Sequence, residues 1–141
     1  MQIGILVVDD YAPWRRFVFL TLQTAEKMQV IGEAADGFIA VKKAKELRPD
    51  LILLDIDLPG LNGIEAARQI REFCPNCKIL FASVETSSHI AAEALRTGAH
   101  GYLIKAHAGR ELLPALKALC QDERFLSDSL DLSSMDLLEH P

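Results

Sequence analysis

Four consecutive apolar residues closed by an acid, Leu51-Ile52-Leu53-Leu54-Asp55, restrict this chain more than any other feature. A run this short with no polar alternation suits a strand covered on both faces, the kind found in parallel sheets with helices on either side. The same punctuation recurs along the chain. Ile5-Leu6-Val7-Val8 ends in Asp9-Asp10, Lys78 to Ala82 runs into Ser83, and Gly101 to Ile104 runs into Lys105. Val30 to Ala34 is a further short run, set ahead of Asp36.

Amphipathic stretches separate these runs. Residues 13–26 carry Trp14, Phe17, Val18, Leu22 and Ala25 at helical spacing, with Pro13 suited to a first turn. Asp36 is placed to cap a helix bearing Val41, Ala44 and Leu47, which must stop before Pro49. Asn62 and Glu65 stand in capping-box positions before Ile64, Ala67 and Ile70. Thr86 to Ser88 offer caps for a helix with Ile90, Ala94 and Leu95, and Gly98 sits where a helix-terminating glycine belongs. Leu112, Leu113, Leu116 and Cys120 mark a fifth helix, in which Pro114 demands either a kink or a restart. Strands and helices in strict alternation predict an α/β fold: a doubly wound, flavodoxin-like, five-stranded parallel sheet of order 2-1-3-4-5. Residues 1–120 form that domain, and 121–141, where acids are interleaved with Ser and Leu without periodicity, are read as a linker or tail with room for local helix.

Composition narrows the class. The chain has 141 residues, 50% of them hydrophobic, which is enough for one domain with a real core. Its 15 Lys and Arg against 20 Asp and Glu leave a formal charge of −5, so no dedicated nucleic-acid surface is expected. No apolar run approaches the roughly 18 residues of a membrane span, and the start lacks the pattern of a secretory signal. A cytoplasmic protein is expected, and three cysteines are too few for a disulfide framework.

In doubly wound sheets the functional crevice lies beyond the carboxyl ends of the strands, at the switch between strands 1 and 3. That rule brings together Asp9, Asp10, Asp55, Ser83 and Lys105. Taken singly, each is an ordinary turn former, cap or solvated charge; taken jointly, they form a chemical set. Two carboxylates about 4 Å apart repel by roughly 4 kcal/mol at an effective dielectric near 20. Crowded acids therefore call for protons or a cation, and hard oxygen ligands with open positions suit Mg²⁺. With a lysine and a hydroxyl alongside, the set has what phosphoryl transfer requires: a nucleophile, charge neutralisation and donors to the equatorial oxygens. Asp55 is the central acid and the candidate nucleophile, with Asp9 or Asp10 holding the metal. Asp57 offers its backbone carbonyl to the metal and its side chain to an attacking water.

The segments Val7-Val8-Asp9-Asp10, Leu53 to Gly60, Phe81-Ala82-Ser83-Val84 and Gly98 to Lys105 together resemble the receiver domain of two-component response regulators, over nearly all of residues 3–120. The pieces Asp36-Gly37, Ser83-Val84 and Gly101-Tyr102-Leu103-Ile104-Lys105 are most similar to the NarL/FixJ (LuxR-type) subfamily. The resemblance implies that Asp55 accepts phosphate from a sensor histidine kinase. It also implies that Asp10 and Asp55 bind Mg²⁺ directly, Asp9 through water, and Asp57 by its carbonyl. Ser83 and Lys105 would then bind the phosphoryl group. A receiver of this kind is a phosphorylation switch rather than an enzyme with a free substrate. Ser83 moving inward would leave space into which Tyr102 is placed to rotate, although Tyr102 also reads as a plain core aromatic with a surface hydroxyl. Members of the subfamily usually carry a C-terminal DNA-binding helix-turn-helix, which is expected to be absent from this chain, and dimerise on phosphorylation. Glu123 to Ser127 resembles the start of their linker.

Three departures from the family pattern stand out. Ala106 follows Lys105 where many receivers have proline. Val84 is bulkier than usual and would narrow access to Asp55. Gly109 and Pro114 are unfavourable in the last helix and put the usual dimer face of helix 4, strand 5 and helix 5 in question. Asp55-Ile56-Asp57 also matches the DxD of haloacid-dehalogenase-like phosphatases, but that superfamily places it on the first strand. A docking module that has lost phosphorylation is a further rival, opposed by the full acid, hydroxyl and lysine set. Cys74-Pro75-Asn76-Cys77 follows a helix instead of opening one and supplies half a zinc shell, so no redox or metal role is expected of it. His89, His100 and His107 lack ligand spacing and are expected to face solvent.

Overall fold

The computed structural model describes residues 2–130; Met1 and the 131–141 part of the expected tail lie outside the described residues. The chain order is β1 (Ile3–Val8), α1 (Ala12–Leu22), β2 (Met28–Ala34), α2 (Gly37–Leu47), β3 (Leu51–Leu54), α3 (Gly63–Phe73), β4 (Lys78–Ser83), α4 (Ser88–Leu95), β5 (Gly101–Ile104), α5 (Ala108–Cys120) and β6 (Phe125–Leu126). A single 3-10 turn, Lys105–His107, joins β5 to α5. All strand pairs are parallel, in the order β2-β1-β3-β4-β5-β6. The expected order 2-1-3-4-5 is present, and the count of five is corrected to six among the described residues.

The apolar runs behave as strands buried on both sides because alternate residues serve different cores. Leu6, Val8, Ile52 and Leu54 pack with α2, α3 and α4 on one face. Ile5, Val7, Leu51 and Leu53 pack with Trp14, Val18 and Leu22 of α1 and with Leu112, Leu116 and Leu119 of α5 on the other. Burying a Leu or Ile side chain fully contributes about 1.5–3 kcal/mol, so the central strands are the most strongly held part of the sheet.

The caps lie where local chemistry puts them. Asp36 accepts the Ile39 N–H, Asn62 the Glu65 N–H and Ser87 the Ile90 N–H. Gly98 ends the α4 region at φ 94°, a backbone state glycine adopts without steric cost. Three boundaries differ from the sequence reading. Helix α1 stops at Leu22 instead of running to residue 26, β2 begins at Met28, and α5 passes through Pro114 without restarting. Pro114 lies on the exposed face of α5, where its ring meets no core.

One further expectation changes, that of solvent-facing histidines, and the cysteines gain a pairing. Cys74 and Cys77 are joined by a disulfide across the α3–β4 turn, and Cys120 is a free, exposed thiol. His89 is exposed, but His100 and His107 are half-buried. His100 Nδ1 accepts the Ile79 N–H at 3.2 Å, tying the turn before β5 to β4. Burial, with Arg71, Lys78 and Arg124 nearby, lowers the His100 pKa to about 4.

Candidate phosphoryl and metal site

The three acids meet because the backbone ladder continues past the strand ends. Asp9 N–H donates to Ala34 O at 2.9 Å, and Asp55 N–H donates to Val8 O at 3.0 Å. The first residues beyond β1 and β3 are therefore neighbours, and one carboxylate oxygen each from Asp9, Asp10 and Asp55 lies within 4.8 Å of the others. Asp9 and Asp55 are buried, and Asp10 is open to solvent.

Each buried carboxylate has one oxygen anchored by a backbone N–H and the other turned toward Lys105. Asp55 Oδ1 accepts the N–H of Ile56 at 2.8 Å, and Asp9 Oδ1 accepts that of Tyr11 at 2.9 Å. Arg15 Nη1 donates to the Asp9 backbone carbonyl and so holds that residue from the outside. Asp9 Oδ2 receives no hydrogen bond of normal geometry. It meets the Lys105 ammonium at 2.5 Å, and the same ammonium lies 3.5 Å from Asp55 Oδ2. Lys105 also lies 5.0 Å from the centroid of the Trp14 ring, a cation–π arrangement that places it over the pocket.

Burial dominates the electrostatics of Asp55. Desolvation lifts its pKa from 3.8 to about 6, Lys105 opposes the rise, Asp9 adds to it, the Ile56 N–H lowers it and Asp57 raises it. At neutral pH most of the group is still ionised, and any added cation favours that form. The donor set fits a hard divalent ion: clustered carboxylate oxygens, one of them buried without a normal hydrogen bond, beside an open, solvent-reached acid.

Of the remaining predicted residues, Asp57 lines the cavity at this centre, and Ser83 and Tyr102 sit on the neighbouring strands β4 and β5. Asp57 is exposed and lines an open cavity of about 730 Å³ with Asp10, Asp55, Lys105 and Val84. Val84 is 66% exposed, so it stands at the mouth of the cavity without closing it. Ser83 is fully buried at the end of β4, its hydroxyl accepting the Glu85 N–H at 3.0 Å. Tyr102 lies inside the protein at the second position of β5. Its ring is fully buried and its hydroxyl donates to the Glu85 carbonyl at 3.0 Å, so the aromatic already occupies the interior beneath the β4–α4 loop. By sequence pattern Trp14 and Arg15 are simply residues of the first helix. Their only sequence cue is their place in the first turn after Asp9-Asp10.

Comparison with known proteins agrees with this geometry. Residues 5–117 match the family model described as the response regulator receiver domain. The nitrate/nitrite response regulator protein NarL of Escherichia coli K12 is 37% identical over 126 residues, covering 89% of this chain and 58% of NarL. Response regulator GacA of Pseudomonas viridiflava is 32% identical over 129 residues, covering 92% and 60%. The chain thus spans about 60% of the length of these curated relatives. Among solved structures, a two-component response regulator of the LuxR family from Aurantimonas sp. SI85-9A1 superposes with TM-score 0.88 at 30% identity, covering 99% of this chain and 97% of that one. The chemistry of the rim, the strand order and these matches agree: the chain belongs to the response regulator receiver domain family, within its NarL/FixJ, LuxR-type branch.

Proposed function

We propose that Asp55 accepts a phosphoryl group from the phosphohistidine of a sensor histidine kinase, in a reaction that depends on Mg²⁺. The observation that carries this reading is the convergence of Asp9, Asp10 and Asp55 oxygens within 4.8 Å, with Lys105 against two of them. An Asp55 carboxylate oxygen forms the new P–O bond as the P–N bond of phosphohistidine breaks. Water later attacks phosphorus, and the P–O bond breaks to release inorganic phosphate and restore the carboxylate. Mg²⁺, held by Asp10 and Asp55 directly, by Asp9 through water and by the Asp57 carbonyl, would supply charge neutralisation at the phosphoryl oxygens. Lys105 and the Ser83 hydroxyl donate to those oxygens.

The switch follows from what Ser83 and Lys105 must give up. Ser83 leaves the Glu85 N–H and Lys105 leaves Asp9 in order to reach a phosphoryl group on Asp55. Hydrogen bonds involving a charged group are worth about 1.5–3 kcal/mol each, so two move a two-state population by roughly two to four orders of magnitude. The loop carrying Glu85 also holds the Tyr102 hydroxyl, so its movement reaches α4 and β5. The altered face would control homodimerisation or a DNA-binding output domain, and a cytoplasmic setting is consistent with a histidine-kinase partner. Among the described residues no helix is long and apolar enough to cross a membrane.

Incubation with acetyl phosphate and Mg²⁺, followed by intact mass spectrometry, tests the proposal. A single adduct is expected in the wild type and none in Asp55→Asn or in EDTA. Many turnovers of a small phosphate ester would favour a phosphatase, and no adduct under any condition would favour a docking module.

A further inference from the structure

The sixth strand lies beyond residues 5–117, the stretch shared with the family model. Phe125 pairs with Gly101 and Leu126 with Tyr102, and the ladder is closed by Phe125 N–H to His100 O at 3.1 Å and Ser127 N–H to Tyr102 O at 3.0 Å. At Ser127 the backbone ladder stops and a side chain continues it. The Ser127 hydroxyl accepts the N–H of Ile104 at 2.7 Å, in the position where another strand's carbonyl would stand, and donates to Glu111 Oε1 at 2.6 Å.

Both partners are buried: Ser127 is 1% exposed and Glu111 6% exposed. Glu111 Oε2 also accepts the Asp128 N–H at 3.4 Å, and Oε1 lies 3.6 Å from His107 Nδ1 in the 3-10 turn. The turn that carries Lys105 is thus tied by a hydrogen bond on its leading flank, while on the other flank the buried His107 Nδ1 only approaches Glu111 and makes no hydrogen bond. Ile104, the residue before Lys105, is fixed by Ser127, and His107, two residues after Lys105, faces Glu111.

We propose that Ser127 and Glu111 are positioning residues for Lys105, so that docking of the 125–127 segment and occupation of the Asp9–Asp55 pocket favour one another. The inference rests on the phosphoacceptor reading of Asp55 and goes beyond it by placing the linker within the switch. Loss of the Ser127 hydroxyl leaves the Ile104 N–H and one oxygen of a buried carboxylate without partners, and the turn relaxes away from Asp9 and Asp55. By linkage, a ligand that draws Lys105 into the pocket tightens the strand by the same factor that the strand tightens the ligand.

The test uses the full chain with beryllium fluoride and Mg²⁺ as the probe of the phosphoryl pocket. Affinity is measured by titration calorimetry, and amide exchange is followed at Phe125 and Ser127. Ser127→Ala is expected to bind the probe about three- to tenfold more weakly with unchanged circular dichroism, the equivalent of one buried hydrogen bond, while Ser127→Thr, which keeps the hydroxyl, restores binding. Saturating probe is expected to slow wild-type exchange at both amides by a similar factor. Unchanged affinity in a folded Ser127→Ala overturns the proposal. Should that variant not fold, wild-type exchange decides alone, and equal exchange with and without probe overturns it. Binding that depends on Asp55 but ignores Ser127 defeats only this inference, whereas a wild type that binds no better than Asp55→Asn defeats both.

Discussion

Lys105 Nζ stands 2.5 Å from Asp9 Oδ2, closer than the 3.5 Å that separates it from Asp55 Oδ2. In the absence of other cations the lysine is therefore chiefly the counter-ion of Asp9, and Mg²⁺ must compete with it. Lys105→Met is expected to raise Mg²⁺ affinity roughly three- to tenfold, since the competing ion pair is gone. It is also expected to slow Asp55 phosphorylation, because a donor to the phosphoryl oxygens is lost. Calorimetric titration and adduct formation over time measure the two effects, which should move in opposite directions.

Asp55 makes the folded protein less stable at neutral pH than it would be with an uncharged residue. With its folded pKa raised to about 6 from 3.8, the native state binds the extra proton, so the associated stability is present below 3.8 and lost as pH rises through 6. Asp55→Asn is expected to be more stable than wild type by about 1–2 kcal/mol at pH 7.5 and nearly equal to it at pH 4. Thermal unfolding at the two pH values reads this directly, and Mg²⁺ should narrow the gap at pH 7.5.

His100 acts with the opposite sign. Its lowered pKa means the neutral ring is favoured in the fold, so its contribution is present above 6.5 and lost as pH falls toward about 4. Because the ring is only half-buried, solvent screening limits the effect to about 1 kcal/mol. His100→Asn, whose side-chain oxygen can replace Nδ1 as acceptor for Ile79, is expected to flatten the loss of stability between pH 6.5 and 4. Urea titrations across that range measure it.

Gly63 opens α3 directly beneath the phosphoacceptor. A β-carbon there would lie 1.9 Å from the Asp55 carbonyl oxygen, so the helix start or the Asp55 peptide must move. Gly63→Ala is expected to cost about 1–3 kcal/mol in denaturant unfolding and to slow adduct formation more than a surface substitution of equal cost.

The parts of the fold legible in the sequence were those with a local signal. Leu51 to Leu54 announced a buried strand by having no polar face, and Asp36 and Asn62 announced helix starts by their side-chain acceptors. Strand-end acids became a site only through the switch-point rule, and the structure brings Asp9, Asp10 and Asp55 together as that rule requires. Two-residue β6 gave no such signal. Phe125-Leu126 shows no alternation, and what makes it a strand is the free edge of β5, a tertiary fact. The bond between Glu111 and Ser127 joins residues sixteen apart, beyond any helix or turn spacing, so neither side chain showed its burial in sequence. Tyr102 was ambiguous because its neighbour is the backbone of Glu85, on another loop.

The short sixth strand also changes what the molecule presents to its own copies. Gly101-Tyr102-Leu103-Ile104 is buried along its whole length, and without Phe125 and Leu126 its outer backbone groups would form an unpaired, apolar margin. Such a margin is a template for edge-to-edge pairing, and the two-residue strand laid along it leaves only a short edge in its place.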